Sequence, residues 1–219
     1  MNKAMLVLLT VILALPGTVS AAGGKNQKKH RKTNADCGLA QLLDQLPAEN
    51  LKKREVRDLL YMREEEKLAR DVYLGMYAEW DLRIFRNISK AENKHMASVL
   101  ALIQKYDLDD PVGDNAVGVF TNDDLQQLYE ELFAVGIRSR VSALQVGAAI
   151  EELDIFDLRR ALAATNNEDL QMLYQNLLKG SSNHLRAFAK QLARNDASYT
   201  PIYLTPDEYQ EILDSPKFK

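Results

Sequence analysis

Between Leu51 and Arg194 apolar residues return every three or four positions and do not alternate, the spacing of helices that bury one face. Proline, which breaks helix interiors, is absent between Pro47 and Pro111 and again between Pro111 and Pro201. The pattern predicts a long helix over 51–79, with Leu59, Met62, Ala69, Tyr73 and Met76 in one line. A second covers 82–106, striped by Ile88, Val99 and Leu102. The stretch "DLDDPVGDNAVGVF" is rich in turn formers and reads as a loop. A short helix over 123–134 follows, with Thr121 and Asp124 as its capping pair and Gly136 as its stop. Two more long helices are expected. One spans 139–164, carrying Leu144, Ala148, Ile155, Leu158 and Leu162; the other spans 170–194, carrying Leu170, Leu177, Phe188 and Leu192. "TNNED" supplies the turn and cap between them.

Short turns within each pair and one long excursion between pairs predict an all-α fold. The expected architecture is an antiparallel four-helix bundle over 39–195, with a long crossover that carries the short extra helix. The tail from 196 to 219 contains "YLTPDEY", where Thr205 suits an N-cap and Pro206 the first helical position. Its Tyr203, Leu204, Tyr209 and Ile212 are expected to dock on the bundle.

Each stripe is interrupted on its inward line. Glu66 lies seven residues before Tyr73 in the first long helix, and Glu92 and His95 share the buried side of the second. Glu151 lies between Ala148 and Ile155 in the third, with Asp154 on the same face, and His184 lies between Leu177 and Phe188 in the fourth. Buried carboxylates cost several kcal/mol each unless paired or coordinated, so such a set calls for cations. The interruptions also fall at one depth. Glu66 is fourteen residues before Trp80, and His95 fourteen after Asp81. At 1.5 Å per residue that places both about 20 Å from the turn. Glu151 and His184 are likewise equidistant from the Asn167–Glu168 turn.

Carboxylate-bridged di-iron and di-manganese bundles take one Glu from each of two helices and Glu-x-x-His from the other two. Glu66 and Glu151 fit the single carboxylates, and Glu92-x-x-His95 fits one complete motif. The alternative is an interior salt-bridge network, with Arg63, Arg70 and Arg186 as its cations. The neighbouring acids Glu64, Glu65 and Glu152 are read as mostly surface charges.

The segments "REEEKLARDVY", "AENKHM", "GVFTNDDLQQLYEEL", "GAAIEELDI", "NHLRAF" and "YLTPDEY" together resemble a bacterial and archaeal domain-of-unknown-function family of the ferritin-like superfamily. The likeness runs from about Leu51 to Leu213. It implies a ferritin-like bundle and a dinuclear iron or manganese centre, two ions per chain, without implying a reaction. The Glu66-x6-Tyr73 spacing is similar to the first-helix ligand and tyrosine of ferritins and rubrerythrins. One position departs from the pattern: three residues before His184 stands Ser181, not glutamate. Either the second metal is weaker or absent, or Asp154, one turn from Glu151, supplies the missing oxygen as a metal ligand, which is the arrangement expected.

Charge and composition narrow the setting. Residues 1–21 pair Lys3 with an apolar run from Met5 to Leu15, a Pro16–Gly17 break and "VSA" before a cut after Ala21, the pattern of a secretory signal peptide. The run is too short for a stable membrane anchor. Residues 22–38 are expected to be a flexible basic linker. A polyanion-binding arm is the alternative. Six of the 28 Lys and Arg and none of the 31 acids lie in residues 1–35, leaving the remainder at a net −9, which argues against nucleic acid as partner. Cys37 is the single cysteine and excludes an internal disulfide.

The expectation is a secreted or periplasmic protein acting on dioxygen or peroxide, of ferroxidase or peroxidase type. Tyr73 stands as a hydrogen-bonding or one-electron catalytic residue, with a plain core tyrosine as the alternative. No electron-transfer motif occurs in the chain, so an external reductant is required. The alternative is a non-catalytic metal-binding or interaction bundle.

Overall fold

A computed structural model describes residues 38–216. The signal peptide, the basic linker and Cys37 read from the sequence lie outside the described residues, apart from Gly38. Among the described residues there are seven helices and no strand, so the protein is all-α. They are α1 (Gly38–Gln45), α2 (Lys53–Trp80), α3 (Arg83–Lys105), α4 (Asp123–Gly136), α5 (Arg140–Leu162), α6 (Glu168–Ala193) and α7 (Pro206–Asp214). The four long helices and the crossover helix fall where the periodicity places them. Helix α1 was not expected. It is a short amphipathic segment that buries Leu43, and Lys105 Nζ donates to the Leu43 and Leu46 carbonyls at 2.6 and 2.7 Å.

Caps set the boundaries. Asp81 turns α2 back into α3 with a left-handed φ of 50°, its N–H bonding to the Tyr77 carbonyl. Ser139 and Asn167 accept backbone N–H groups at the starts of α5 and α6. The cap of α4 corrects the sequence reading. Asn122 accepts from the N–H groups of Asp124 and Leu125, while the Thr121 hydroxyl donates to the Pro111 carbonyl. At α7 the expected Thr205 cap and Pro206 are in place, completed by Glu208 reaching back to the Thr205 N–H.

Helix α2 packs chiefly on α3, and α5 on α6; α2 also meets α5, α3 meets α6, and α4 lies against α2 and α5. The core divides into two apolar clusters. One is built around Tyr73, Phe85 and Phe188, whose ring centroids lie 5.4–6.0 Å apart. The other gathers Leu59, Val99, Leu102, Leu158, Leu170 and Leu177. Going along α2 the change of cluster falls between Met62 and Leu68, and along α6 between Leu177 and Leu185. Those are the positions of Glu66 and of Ser181 and His184.

Glu64, Glu65 and Glu152 are not surface charges. They are 4%, 1% and 0% exposed, and Glu64 and Glu152 are held there by backbone N–H groups. Glu64 accepts the N–H groups of Thr121 and Asn122 at 2.6 and 3.1 Å. Arg63 forks onto Asp110 with two 3.0 Å bonds, and Lys67 donates to the Ala116 carbonyl and to Asp71. The charged run on α2 therefore fastens the crossover. Glu152 does the same for the tail, accepting from the N–H groups of Ile202, Tyr203 and Leu204 and from the Tyr199 hydroxyl.

Candidate metal centre

Between the two apolar clusters, α2, α3, α5 and α6 each turn polar side chains inward. Glu66, Glu92 and Glu151 are 0%, 1% and 0% exposed. His95 and His184 keep a thin edge at the surface, 15% and 13% of their side chains. The Glu92 carboxylate is the middle of the arrangement. One oxygen lies 2.7 Å from His95 Nδ1, one turn along α3, and the other lies 2.9 Å from His184 Nδ1 on α6. Glu66 approaches His95 Nδ1 from α2 at 3.1 Å, and Glu151 approaches His184 Nδ1 from α5 at 3.3 Å. The two imidazoles stack at 5.6 Å. Two overlapping groups result, Glu66–Glu92–His95 and Glu92–Glu151–His184, each with ligand atoms within 4.8 Å of one another.

These distances are not all hydrogen bonds. His184 Nδ1, Glu92 Oε1 and Glu151 Oε2 are close yet misaligned, and each lacks a hydrogen-bond partner, as does Glu66 Oε1. These donor atoms therefore stand close together without a hydrogen bond between them. Arg63 and Arg70 pair with Asp110 and Asp71, and Arg186 bonds Asn183 and the Ile212 carbonyl. The cations of a salt-bridge network are therefore engaged elsewhere.

Electrostatics follow from burial. Loss of solvent pushes the Glu66 carboxyl up to about 7, against the pull of His95. Burial opposes charge on Glu92 too, but His184 and His95 outweigh it and hold that carboxyl well below its usual range. The same contest raises His184: burial works against the imidazolium, and Glu92 and Glu151 carry it to about 10. His95 is likewise raised, by Glu66 and Glu92. The layer therefore favours the protonated forms of both imidazoles and of Glu66.

Tyr73 is fully buried and its hydroxyl donates to Glu151 Oε1 at 2.7 Å. Burial, then Glu151, raises its ionisation well above the usual value, so it remains a phenol donor. Ser181 points away from the centre's chemistry: its hydroxyl donates to the Leu177 carbonyl of its own helix at 3.2 Å. Asp154 is 1% exposed with both oxygens unpartnered, but it lies outside both ligand groups, and Glu65 is its strongest electrostatic neighbour. Sequence reasoning missed Gly180. A Cβ there would stand 2.4 Å from His95 Nε2, so only glycine leaves the imidazole its place. The available signal was a glycine in the middle of a helix pattern one residue before Ser181.

The all-helical fold with an acid-and-imidazole cluster at mid-core defines the class, and comparison defines the family. The chain belongs to the family described as Uncharacterized protein domain (DUF2202), which matches residues 55–216. It is 46% identical over 177 residues to Uncharacterized protein MJ0754 of Methanocaldococcus jannaschii, covering 81% of this chain and 96% of the relative. The crystal structure of hypothetical protein MJ0754 from Methanococcus jannaschii superimposes with a TM-score of 0.78 at 47% identity, covering 79% of this chain and 99% of that one.

Proposed function

We propose that this protein is a ferritin-like four-helix bundle whose polar layer binds two iron or manganese ions. In this reading it acts as an oxygen- or peroxide-dependent oxidoreductase of ferroxidase or peroxidase type. The observation that carries the reading is the Glu92 carboxylate set between two Nδ1 atoms, each backed by a second buried carboxylate. Misaligned close contacts and orphaned oxygens fit coordination better than hydrogen bonding. An oxygen- and imidazole-rich donor set suits iron or manganese.

Glu66 and His95 would hold one ion and Glu151 and His184 the other, with Glu92 shared. Two adjacent redox metals held there would supply the chemistry for reducing dioxygen or peroxide, with electrons from an external donor. Tyr73 fixes the orientation of Glu151 through its hydrogen bond and holds a proton beside that carboxylate. The apolar clusters on either side exclude water and keep the carboxylates' charge unscreened. Export is part of the proposal, supported by the pattern of residues 1–21. Among the described residues no helix is long and apolar enough to cross a membrane.

Elemental analysis of protein purified without added metal tests the site, followed by dioxygen and peroxide consumption with bound iron. Two ions per chain and turnover are expected. Glu92→Ala and His95→Ala are expected to lose most of the metal while remaining helical. Unchanged occupancy in both would overturn the metal reading, and full occupancy without turnover would leave sequestration in place of catalysis. For export, intact mass of the natively produced protein should show a chain beginning at Ala22.

A further inference from the structure

We infer that Glu65, Asp154 and Asp157 form an inlet through which divalent cations pass from a surface cleft to the centre. The inference rests on the reading of that centre as a metal site. The cleft, of about 160 Å³, opens between α2 and α5 and is lined by Asp58, Tyr61, Asp157 and Arg160 among others. Glu151, Asp154 and Asp157 follow one another at three-residue steps on α5. Successive members are therefore about 4.5 Å apart along the helix, a spacing over which a cation can be handed on without losing all its oxygen ligands. Glu65 on α2 lies beside this row, close enough for its charge and those of Asp154 and Asp157 to repel one another.

These acids have no structural work comparable to that of their neighbours. Glu64 and Glu152 are each satisfied by backbone N–H groups, whereas both oxygens of Glu65 and both of Asp154 lack hydrogen-bond partners at 1% exposure. Arg160 Nη2 stands 3.0 Å from Asp157 Oδ1 at the mouth, out of hydrogen-bond alignment and 46% exposed. Burial, together with repulsion from Glu65, Glu66, Glu151 and Glu92, pushes the Asp154 carboxyl well above its usual range. Along α5 it stands three residues from Asp157 in the cleft lining and three from Glu151 at the centre. Orphaned buried carboxyls are costly to maintain unless something passes along them or binds there. A divalent cation replaces the protons that otherwise neutralise them.

The edges of His95 and His184 offer a rival path, and kinetics separate the two. Metal-free full-length protein is mixed with Co(II) and loading is followed by visible absorption, with final occupancy from elemental analysis. Glu65→Gln and Asp157→Asn are expected to load about tenfold more slowly than wild type, at the low end of what local charge does to association rates. Their final occupancy stays unchanged. Arg160→Gln removes one of the two cations that line the cleft, the other being Arg57, and is expected to load faster. Wild-type rates in all three variants would refute the inlet and leave the centre standing. Loss of a bound ion in Asp154→Asn would overturn the assignment by making Asp154 a ligand. A wild-type protein that takes up no Co(II), Fe(II) or Mn(II) would refute both readings together.

Discussion

Gly180 sits in the interior of α6, where glycine costs about 0.5–1 kcal/mol relative to alanine. What it provides is space: an alanine methyl would meet His95 Nε2 at 2.4 Å and Cε1 at 2.5 Å, below any ordinary contact. The ring cannot retreat freely, because its Nδ1 is engaged by Glu66 and Glu92 on the other side. Gly180→Ala is therefore expected to leave helix content intact in circular dichroism while cutting metal occupancy by at least about half, since misplaced ligands bind metal poorly. Full occupancy would show that His95 has slack. Ser181→Ala is the matched control one position on. It removes a hydroxyl that bonds only within its helix among the contacts seen, and should leave stoichiometry unchanged.

At the scale of elements, the long helices bring the site together and single buried acids hold the connections in place. Glu152 on α5 is the clearest case, fully buried under the tail that leads into α7. Removing it leaves three backbone N–H groups without their acceptor, at about 1–3 kcal/mol for each buried unpaired group. Glu152→Ala is expected to lower stability by about 3 kcal/mol and the melting temperature by about 6–12 °C for a chain of this size. The tail beyond residue 196 should become sensitive to proteolysis, while Glu152→Gln, which keeps an acceptor, should lose less. A melting temperature within a degree of wild type would show that the tail is held by its apolar contacts instead. Helix α1 escaped the sequence reading because eight residues beside a polar stretch form too short a pattern, and its helicity depends on packing against α3 and α6.

For the whole molecule, the polar layer makes stability depend on pH in a way that metal should reverse. Glu92, ordinarily near 4.5, is lowered by folding, so its contribution is present above that value and lost as pH falls below it. Glu66 is raised from 4.5 to about 7, so folding favours its protonated form and stability declines as pH rises through that range. His184 is raised from 6.5 to about 10; its contribution is complete below 6.5 and is lost on the way to pH 10. The metal-free protein is therefore expected to be most stable at about pH 4.5 and to weaken steadily toward pH 9, as followed by thermal denaturation. Bound cations take the place of the protons, and loading releases them. With iron or manganese present, the optimum should move upward by about one to two pH units. The same optimum with and without metal would argue that the cluster binds none.

Helix periodicity, the prolines and the two turns sufficed to read four long helices, and counting residues from those turns placed Glu66, Glu92, His95, Glu151 and His184 at one depth. Both readings rest on local or additive quantities, a repeat of 3.6 residues and a rise of 1.5 Å per residue. Partners of adjacent residues are not. Consecutive side chains on a helix point about 100° apart, so Glu64, Glu65 and Glu66 leave α2 toward three different neighbours. Glu64 meets the crossover backbone, Glu65 the acids of α5, and Glu66 the imidazole of α3. The stripe singles out Glu66 but gives Glu64 and Glu65 no partners. Only the packing of the crossover, α5 and α3 around α2 gives each of them a different charge environment, and so a different role.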